Sequence, residues 1–118
     1  MKIVEFEPQT INRSVVMIIP TTKFYEWEKQ VFPDAPTTAD RNEFSSYLIE
    51  DEIFPDEPKK ALKKHWQYIF EEELFGICID ENEWPENRTW KMFMDYFEIK
   101  FSTLVFDLLD RPVLKDSF

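Results

Sequence analysis

The sequence predicts a single small α+β domain, residues 1–118, in which a mainly antiparallel or mixed sheet of three or four strands packs against three helices. Three observations predict this class. An unbroken apolar run at residues 15–19 is typical of a buried strand. Two segments, 58–77 and 85–97, repeat their apolar residues at helical spacing. The elements follow the uneven order β-α-β-α-α-β, which favours α+β over a doubly wound sheet.

Composition and charge set the limits of this prediction. With 118 residues, 43% hydrophobic and 17% aromatic, the chain can bury a core without a disulfide or a metal ion. Its net charge of -10 argues against direct binding to nucleic acid or to an anionic membrane, because no basic stripe could neutralise phosphates. Three explanations of the acidity stay open: it keeps the chain soluble, it makes the chain a mimic of nucleic acid, or it allows the chain to bind a basic partner.

The single cysteine and the N-terminal sequence bear on location. Cys78 has no second cysteine to pair with, and at the end of an apolar helix it is expected to be an inert buried thiol. Residues 1–8 lack the apolar centre of a signal peptide, and the run at residues 15–19 is far too short to span a membrane. These features predict a cytoplasmic protein.

The first half of the chain is predicted to hold two strands and one helix, with an arm before them. Residues 1–11 form an edge strand or an ordered arm. Residues 13–19 are apolar on both sides, which predicts a central strand covered on both faces. Thr21 or Thr22 then caps a short amphipathic helix. Residues 45–50, SSYLIE, read as a second strand.

The central helix is predicted at residues 58–77. Its only glycine, Gly76, lies where a helix C-cap requires a positive φ, which places the helix end near Phe75. The apolar stripe that this helix turns towards the core consists of Leu62, Trp66, Ile69, Phe70, Leu74 and Ile77.

A third helix and a last strand complete the expected fold. The helix begins near Pro85, which the first helical turn tolerates, and ends near Phe97. Residues 98–108 alternate like a strand, but the apolar side changes near residues 102–103. Either a bulge lies there or both faces are covered beyond it. Residues 111–118 are expected to form a loose tail.

One carboxylate interrupts the apolar stripe of the central helix. Glu73 projects between apolar neighbours, so it must be paired, protonated or close to a cleft open to water. The candidate partners are Arg13 and Arg88; Arg13 is preferred, because Arg88 projects away from the apolar face of its own helix. The three residues form the candidate buried polar or ligand site. A structural ion pair, or a stripe that ends one turn early, is the alternative.

The central helix also carries its charges in an unfavourable order. Lysines occupy its first turns and residues 71–73 are glutamates, whereas the helix dipole favours anions first and cations last. The preceding acidic segment, residues 50–57, offsets the lysines in one interpretation. In the other, Lys60, Lys64 and Glu71 share the outer face and form a two-fold interface between two antiparallel copies of the helix.

No sequence motif indicates a catalytic, cofactor or metal site. His65, on one flank of the central helix with Tyr68 and Glu72, is expected to be a surface or boundary histidine. The acidic groups at residues 50–57 and 80–83 lack the spacing and the glycine of a calcium loop. The sequence therefore predicts neither a metal ion nor a cofactor.

Five short motifs resemble those of a family of uncharacterised small bacterial proteins. They are N-R-S-x-V at residues 12–16, I-F-E-E-E-L at 69–74, W-P-x-x-R-T at 84–89, the aromatic pair at 96–97, and V-x-D-L at 105–108. The match covers residues 12–110, and Tyr96 departs from the tryptophan that the family has there. The resemblance implies a bacterial cytoplasmic protein. It carries no functional residues across, because no activity, ligand or partner is associated with the family.

These features favour a non-enzymatic protein-interaction or regulatory protein, with a homodimer as one form. The basis is the lack of a catalytic constellation together with many Trp and Phe residues, which interfaces favour. A small ligand-binding or hydrolase-like protein with a pocket near Glu73 and Arg13 is the first alternative. An acidic nucleic-acid mimic or immunity-type inhibitor is the second.

Overall fold

A computed structural model of the chain describes residues 9–51 and 57–116. These residues form three helices and two small antiparallel sheets, which confirms the α+β class. The elements are β1 (Gln9–Thr10), β2 (Arg13–Pro20), α1 (Thr22–Val31), β3 (Ser45–Glu50), α2 (Glu57–Phe75), α3 (Trp90–Tyr96), β4 (Phe97–Ser102) and β5 (Phe106–Asp107). Short 3₁₀ turns lie at Thr38–Arg41 and Glu81–Glu83.

The main sheet has three antiparallel strands in the order β3-β2-β4. The central position predicted for residues 13–19 is therefore confirmed. Val16 lies opposite Tyr47 on one side and Phe101 on the other. Alternate residues of β2 are buried, while the residues between them are only partly buried. The expected cover on both faces is not found among the described residues, because the helices pack on one face of the sheet.

The apolar stripe of α2 forms the centre of the core. Leu62, Ile69, Phe70 and Leu74 have almost no exposed surface. The aromatic rings of Phe70, Phe93 and Phe97 pack with centroids 5.3 to 5.7 Å apart, within the range that favours edge and tilted contacts. This cluster joins α2, α3 and the start of β4, so packing holds α2 in place despite the unfavourable order of its charges.

The end of α2 matches the prediction, but the role expected of Gly76 is wrong. The helix ends at Phe75, and Gly76 does not have a positive φ. Instead, the N–H of Gly76 donates to the carbonyl of Glu72 at 3.1 Å, and the N–H of Cys78 donates to the carbonyl of Leu74 at 2.9 Å. The last helical carbonyls are thus satisfied without a left-handed cap.

The third helix begins at Trp90 rather than near Pro85. Thr89 is its N-cap, and the Thr89 hydroxyl accepts a hydrogen bond from the N–H of Met92 at 3.1 Å. Asn87 has a φ of 54°, which a helix does not allow. The start predicted near Pro85 is therefore wrong, because the helix begins after the Thr89 cap.

The strand predicted at residues 98–108 is divided into two strands in different sheets. β4 ends at Ser102, and β5 pairs with β1 to form a separate two-stranded ribbon. The change of apolar side near residues 102–103 therefore marks a break between strands. β1 falls within the edge strand or arm predicted at residues 1–11, whereas residues 1–8 lie outside the described residues. Residues 111–116 are exposed and have no regular structure.

Ser14 is the one buried polar side chain without a hydrogen-bond partner in the part of the chain that the structure describes. It faces the helices from β2 with no exposed surface. An unsatisfied buried hydroxyl costs about 1–3 kcal/mol, so we expect Ser14→Ala to raise the free energy of unfolding by about 1 kcal/mol. Urea denaturation measures this change. Ser46→Ala, at an exposed position of the same sheet, is the control, and a destabilised Ser14→Ala would contradict the prediction.

Candidate functional site

Glu73 lies in a cleft between α2, β3 and the segment that joins α1 to β3. The cleft has a volume of about 380 Å³. One carboxylate oxygen of Glu73 accepts a hydrogen bond from the Ser45 hydroxyl at 3.1 Å, and the other accepts one from the Tyr47 hydroxyl at 2.6 Å. Aromatic rings of Phe24, Tyr25 and other residues line the cleft around this network.

Burial is the largest influence on the pKa values of Glu73 and Tyr47. Burial raises the pKa of Glu73 above its usual range, while the hydrogen bonds from Tyr47 and Ser45 lower it in part, and the charge of Glu72 raises it further. Burial also raises the pKa of Tyr47 far above its usual value, and so do its hydrogen bond to Glu73 and the charge of that carboxylate. Tyr47 therefore stays a phenol and donates to Glu73.

The pairing expected between Glu73 and Arg13 is not found among the described residues. Arg13 occupies the β2 position opposite Glu50, at the far end of β3 from Ser45. It also belongs to the set of β2 residues that faces away from the helices. Its guanidinium donates to the carbonyl of Asn12 at 2.7 Å. Two hydroxyls of β3 satisfy Glu73 instead.

Arg88 also binds elsewhere. Its guanidinium donates to Glu71 at 3.2 Å and to the carbonyl of Pro85 at 2.9 Å, and it lies over the ring of Trp84. Of the three residues in the candidate site, Glu73 is the one that lines the cleft, together with Ser45 and Tyr47. The sequence carried a signal for these two partners, because the period of two in SSYLIE puts Ser45, Tyr47 and Ile49 on one face of the strand.

A second cleft, of about 550 Å³, lies between the end of β3 and α2. Here His65 Nε2 lies 2.6 Å from one carboxylate oxygen of Glu50, and the Lys64 ammonium lies 3.4 Å from the other. The hydrogen bond from His65 holds the pKa of Glu50 below its usual range. Tyr68 lines this cleft as well, whereas Glu72 lines the first one. His65 is partly buried, as the sequence indicated.

Ion pairs within the chain involve two of the three candidate interface residues. Lys64 pairs with Glu50, and Glu71 pairs with Arg88 at 3.2 Å. Lys60 is exposed. A two-fold contact through this face of α2 would have to compete with those ion pairs. The two-fold interface stays a prediction, and fewer unpaired charges are available to form it.

The described residues offer no group of three or more side chains placed to hold a metal ion. Cys78 is buried, as expected, and its Sγ lies 3.7 Å from the carbonyl of Asp80. The acidic turn at residues 80–83 is a short 3₁₀ turn, in which the Asp80 side chain accepts a hydrogen bond from the N–H of Asn82. The Asp80 carboxylate therefore caps this turn.

An apolar segment near the C-terminal end is strongly exposed. Its side chains are between 57% and 85% exposed, and they are Leu104, Phe106, Leu108, Leu109, Val113 and Leu114. These six side chains lie close together in the sequence. Contiguous exposed apolar patches on a monomer often mark sites of interaction. We refer to residues 104–114 as the apolar segment.

Comparison of the chain with protein-family models, with curated proteins and with solved structures finds no match. The fold and the two clefts thus define a small α+β domain, and the resemblance to the bacterial family stays a prediction. Within residues 9–51 and 57–116, no helix combines the length and the apolar composition needed to cross a membrane.

The role of Glu73 can be tested through pH. Its pKa is higher in the folded chain than in the unfolded chain, where it lies near the ordinary value of about 4.3. Between the unfolded and the folded pKa of Glu73, the folded state binds more protons than the unfolded state. The stability that protonation of Glu73 adds is therefore complete below the unfolded pKa and is lost as pH rises through the folded pKa. Glu73→Gln keeps the side chain neutral. We therefore expect the stability of the variant, relative to the parent, to increase as pH rises from the unfolded pKa of Glu73 through its folded pKa.

Urea denaturation at several pH values measures this difference. Glu86→Gln removes the same formal charge from an exposed position outside the cleft and corrects for the change in net charge. A difference between Glu73→Gln and the parent that stays constant over this pH range would show that burial does not govern Glu73.

Proposed function

We propose that the chain is a non-enzymatic protein-interaction module that binds a partner protein through the apolar segment. The observation that carries this proposal is the exposure of six large apolar side chains within residues 104–114. Burial of apolar surface stabilises a complex by roughly 25 cal/mol per Å², so covering these side chains provides a driving force for association. The net charge of -10 favours a partner with a basic surface around the apolar contact.

Site-specific photo-crosslinking tests this proposal in the cells that produce the protein. A photoreactive phenylalanine analogue at Phe106 lies within the apolar segment. The same analogue at Ile79, which is 76% exposed but lies outside the segment, is the matched control. We expect a defined crosslinked product at position 106 and not at position 79. Mass spectrometry then identifies the partner.

The purified partner allows a quantitative test. Leu108→Ser should weaken its binding at least tenfold, whereas Ile79→Ser should leave the affinity unchanged, because only the first variant removes contact area. Equal crosslinking at both positions, or equal binding by both variants, would refute the proposal.

A small ligand-binding protein is the second candidate, and the Glu73 cleft is the observation that favours it. A half-buried carboxyl group, two hydroxyls and several aromatic rings meet in one concave site. A library of small amines, alcohols and acids can be screened by ligand-observed NMR. A ligand that binds the parent and Glu86→Gln, but not Glu73→Gln, would support this function, because Glu86 is exposed and lies outside the cleft. The absence of any such ligand would count against it.

A further inference from the structure

The two clefts of the fold meet at Tyr47 and follow the same strand and helix. Residues that line the larger cleft include 48–51 on the strand side and, on α2, His65, Tyr68 and Ile69. Residues that line the Glu73 cleft include Ser45 on β3 and, on α2, Glu72, Glu73, Gly76 and Ile77. These α2 residues recur every three or four positions, so they lie on one side of the helix. We refer to the two clefts together as the β3–α2 groove.

The β3–α2 groove has the length of one short strand. Its strand side follows β3, Ser45–Glu50, whose six residues span about 17 Å. Its helix side runs from His65 to Ile77, a distance of about 18 Å along the helix axis. The groove therefore matches an extended segment of about six residues.

The groove lies beside an unpaired strand edge. Within the described residues β3 pairs only with β2, and no backbone hydrogen bond reaches its other side. In an antiparallel strand, alternate N–H and carbonyl groups point away from the partner strand. The larger cleft touches both Tyr47, which faces the helices, and Leu48, which faces away, so this cleft lies at the edge itself.

The edge of β3 lacks the features with which proteins prevent strand addition. Those features are lysine or proline in the edge strand, inward-pointing charges, and bulges that twist the edge away. The strand sequence SSYLIE contains neither lysine nor proline, and its inward residues are Ser45, Tyr47 and Ile49. Its pairing with β2 continues without a bulge over six residues. The edge is therefore a suitable template for another strand.

The Glu73 end of the groove is acidic. Glu43, Glu72 and Glu73 line this end, together with Arg41. Glu43 and Glu72 are exposed, and the described part of the chain provides no ion pair to any of the three carboxylates. A positively charged side chain in the groove would therefore be attracted to this end.

We propose that an extended segment of a partner protein adds to β3 as a fourth strand and occupies the β3–α2 groove, with a lysine or arginine side chain at the Glu73 end. Main-chain hydrogen bonds to β3 provide affinity, and the groove selects alternate side chains of the segment. At the other end, an apolar side chain packs on Leu48 and Tyr68, which are 54% and 65% exposed. A second copy of this chain fits less well, because its own net charge of -10 opposes approach to an acidic groove.

A phage-displayed library of random peptides of about seven residues, long enough to cover β3, is the first probe. We expect the full chain to select peptides that combine a lysine or arginine with alternating apolar residues. Synthetic copies of these peptides should slow amide hydrogen exchange at alternate residues of β3, measured by NMR. A library without binders, or binders that leave exchange at β3 unchanged, would overturn the proposal.

Methylation of peptide N–H groups separates strand addition from binding through side chains alone. Every second N–H of an added strand faces β3. Methyl groups on that set should weaken binding about tenfold or more, because they remove two or three hydrogen bonds, whereas methyl groups on the alternate set should change it little. Isothermal titration calorimetry measures both. Equal effects of the two sets would contradict strand addition.

Charge reversal tests the acidic end of the groove. Glu72→Lys should weaken binding of a lysine-containing peptide about tenfold, and a peptide with glutamate in place of that lysine should bind this variant better than it binds the parent. A lysine near the C-terminal end of α2 is favourable for the helix dipole, so the variant is expected to fold. Glu86→Lys, an exposed position outside both clefts, is the matched control. Equal losses in the two variants would refute the role of this end.

This inference goes beyond the proposed function, because it uses the β3–α2 groove and not the apolar segment. A chain that binds no peptide but still forms the crosslink at position 106 would refute the groove alone. Peptide binding at β3 without that crosslink would refute the apolar segment alone. Slow exchange at β3 that appears at high concentration of the chain without any peptide would overturn the peptide segment in favour of a second copy.

Discussion

Replacing Phe70 with alanine is expected to lower the free energy of unfolding by about 3–5 kcal/mol, the range seen when a fully buried phenylalanine is truncated. Phe70 has no exposed surface, and its ring packs on Phe93, Tyr96 and Phe97 with centroids 5.3 to 5.7 Å away. These neighbours belong to α3 and to the start of β4, so a cavity at Phe70 weakens the junction of three elements. The total free energy of unfolding of most small domains is only about 5–15 kcal/mol.

The matched control lies at the end of the same helix. Phe75 is 51% exposed, so Phe75→Ala removes the same atoms from a site that water already reaches. Its effect should be within about 0.5 kcal/mol, as for most surface substitutions. Urea denaturation followed by tryptophan fluorescence measures both variants. Similar losses at the two positions would mean that the aromatic cluster around α2 does not dominate the core.

Removing the hydroxyl of Tyr47 is expected to cost about 1–2 kcal/mol at neutral pH, the lower part of the range for a hydrogen bond to a charged group, because both partners are only partly buried. Tyr47→Phe leaves the aromatic ring in place and leaves Ser45 as the remaining hydroxyl donor to Glu73. Since that hydrogen bond favours the carboxylate, its loss should raise the pKa of Glu73 further.

Two measurements check this prediction. NMR titration of the Glu73 carboxyl group reports its pKa in the parent and in Tyr47→Phe. Denaturation of both single variants and of Tyr47→Phe/Glu73→Gln gives the coupling energy between the two side chains. Tyr68→Phe is the control, because Tyr68 lies on the same helix as Glu73 and is 65% exposed. An unchanged pKa of Glu73 in Tyr47→Phe would show that the 2.6 Å contact contributes little in solution.

The two hydroxyls and the carboxyl group of the Glu73 cleft come from different elements. Glu73 lies on α2, whereas Ser45 and Tyr47 lie on β3. A ligand that entered this cleft would bind against the face where helix and sheet meet. The residues that line the Glu73 cleft and those of the apolar segment are different, so binding at the cleft and association with another protein through the apolar segment can be tested independently.

The sequence by itself determined the class of the fold and its main elements. The apolar run of β2, the period of two in SSYLIE and the stripe of α2 each match an observed element. These signals are local, because burial on one face of a strand or helix repeats with the period of that element. The same reasoning identified Glu73 as a carboxyl group that needs a partner.

Only the tertiary structure decided which residues pair with Glu73 and where the strands end. Register places Arg13 opposite Glu50 and on the outer side of the sheet, so hydroxyls of β3 reach Glu73 instead. After the break at Ser102, β5 pairs with β1, a segment that is far away in the sequence. Such pairings depend on contacts between distant segments, which the periodicity of a single segment does not encode.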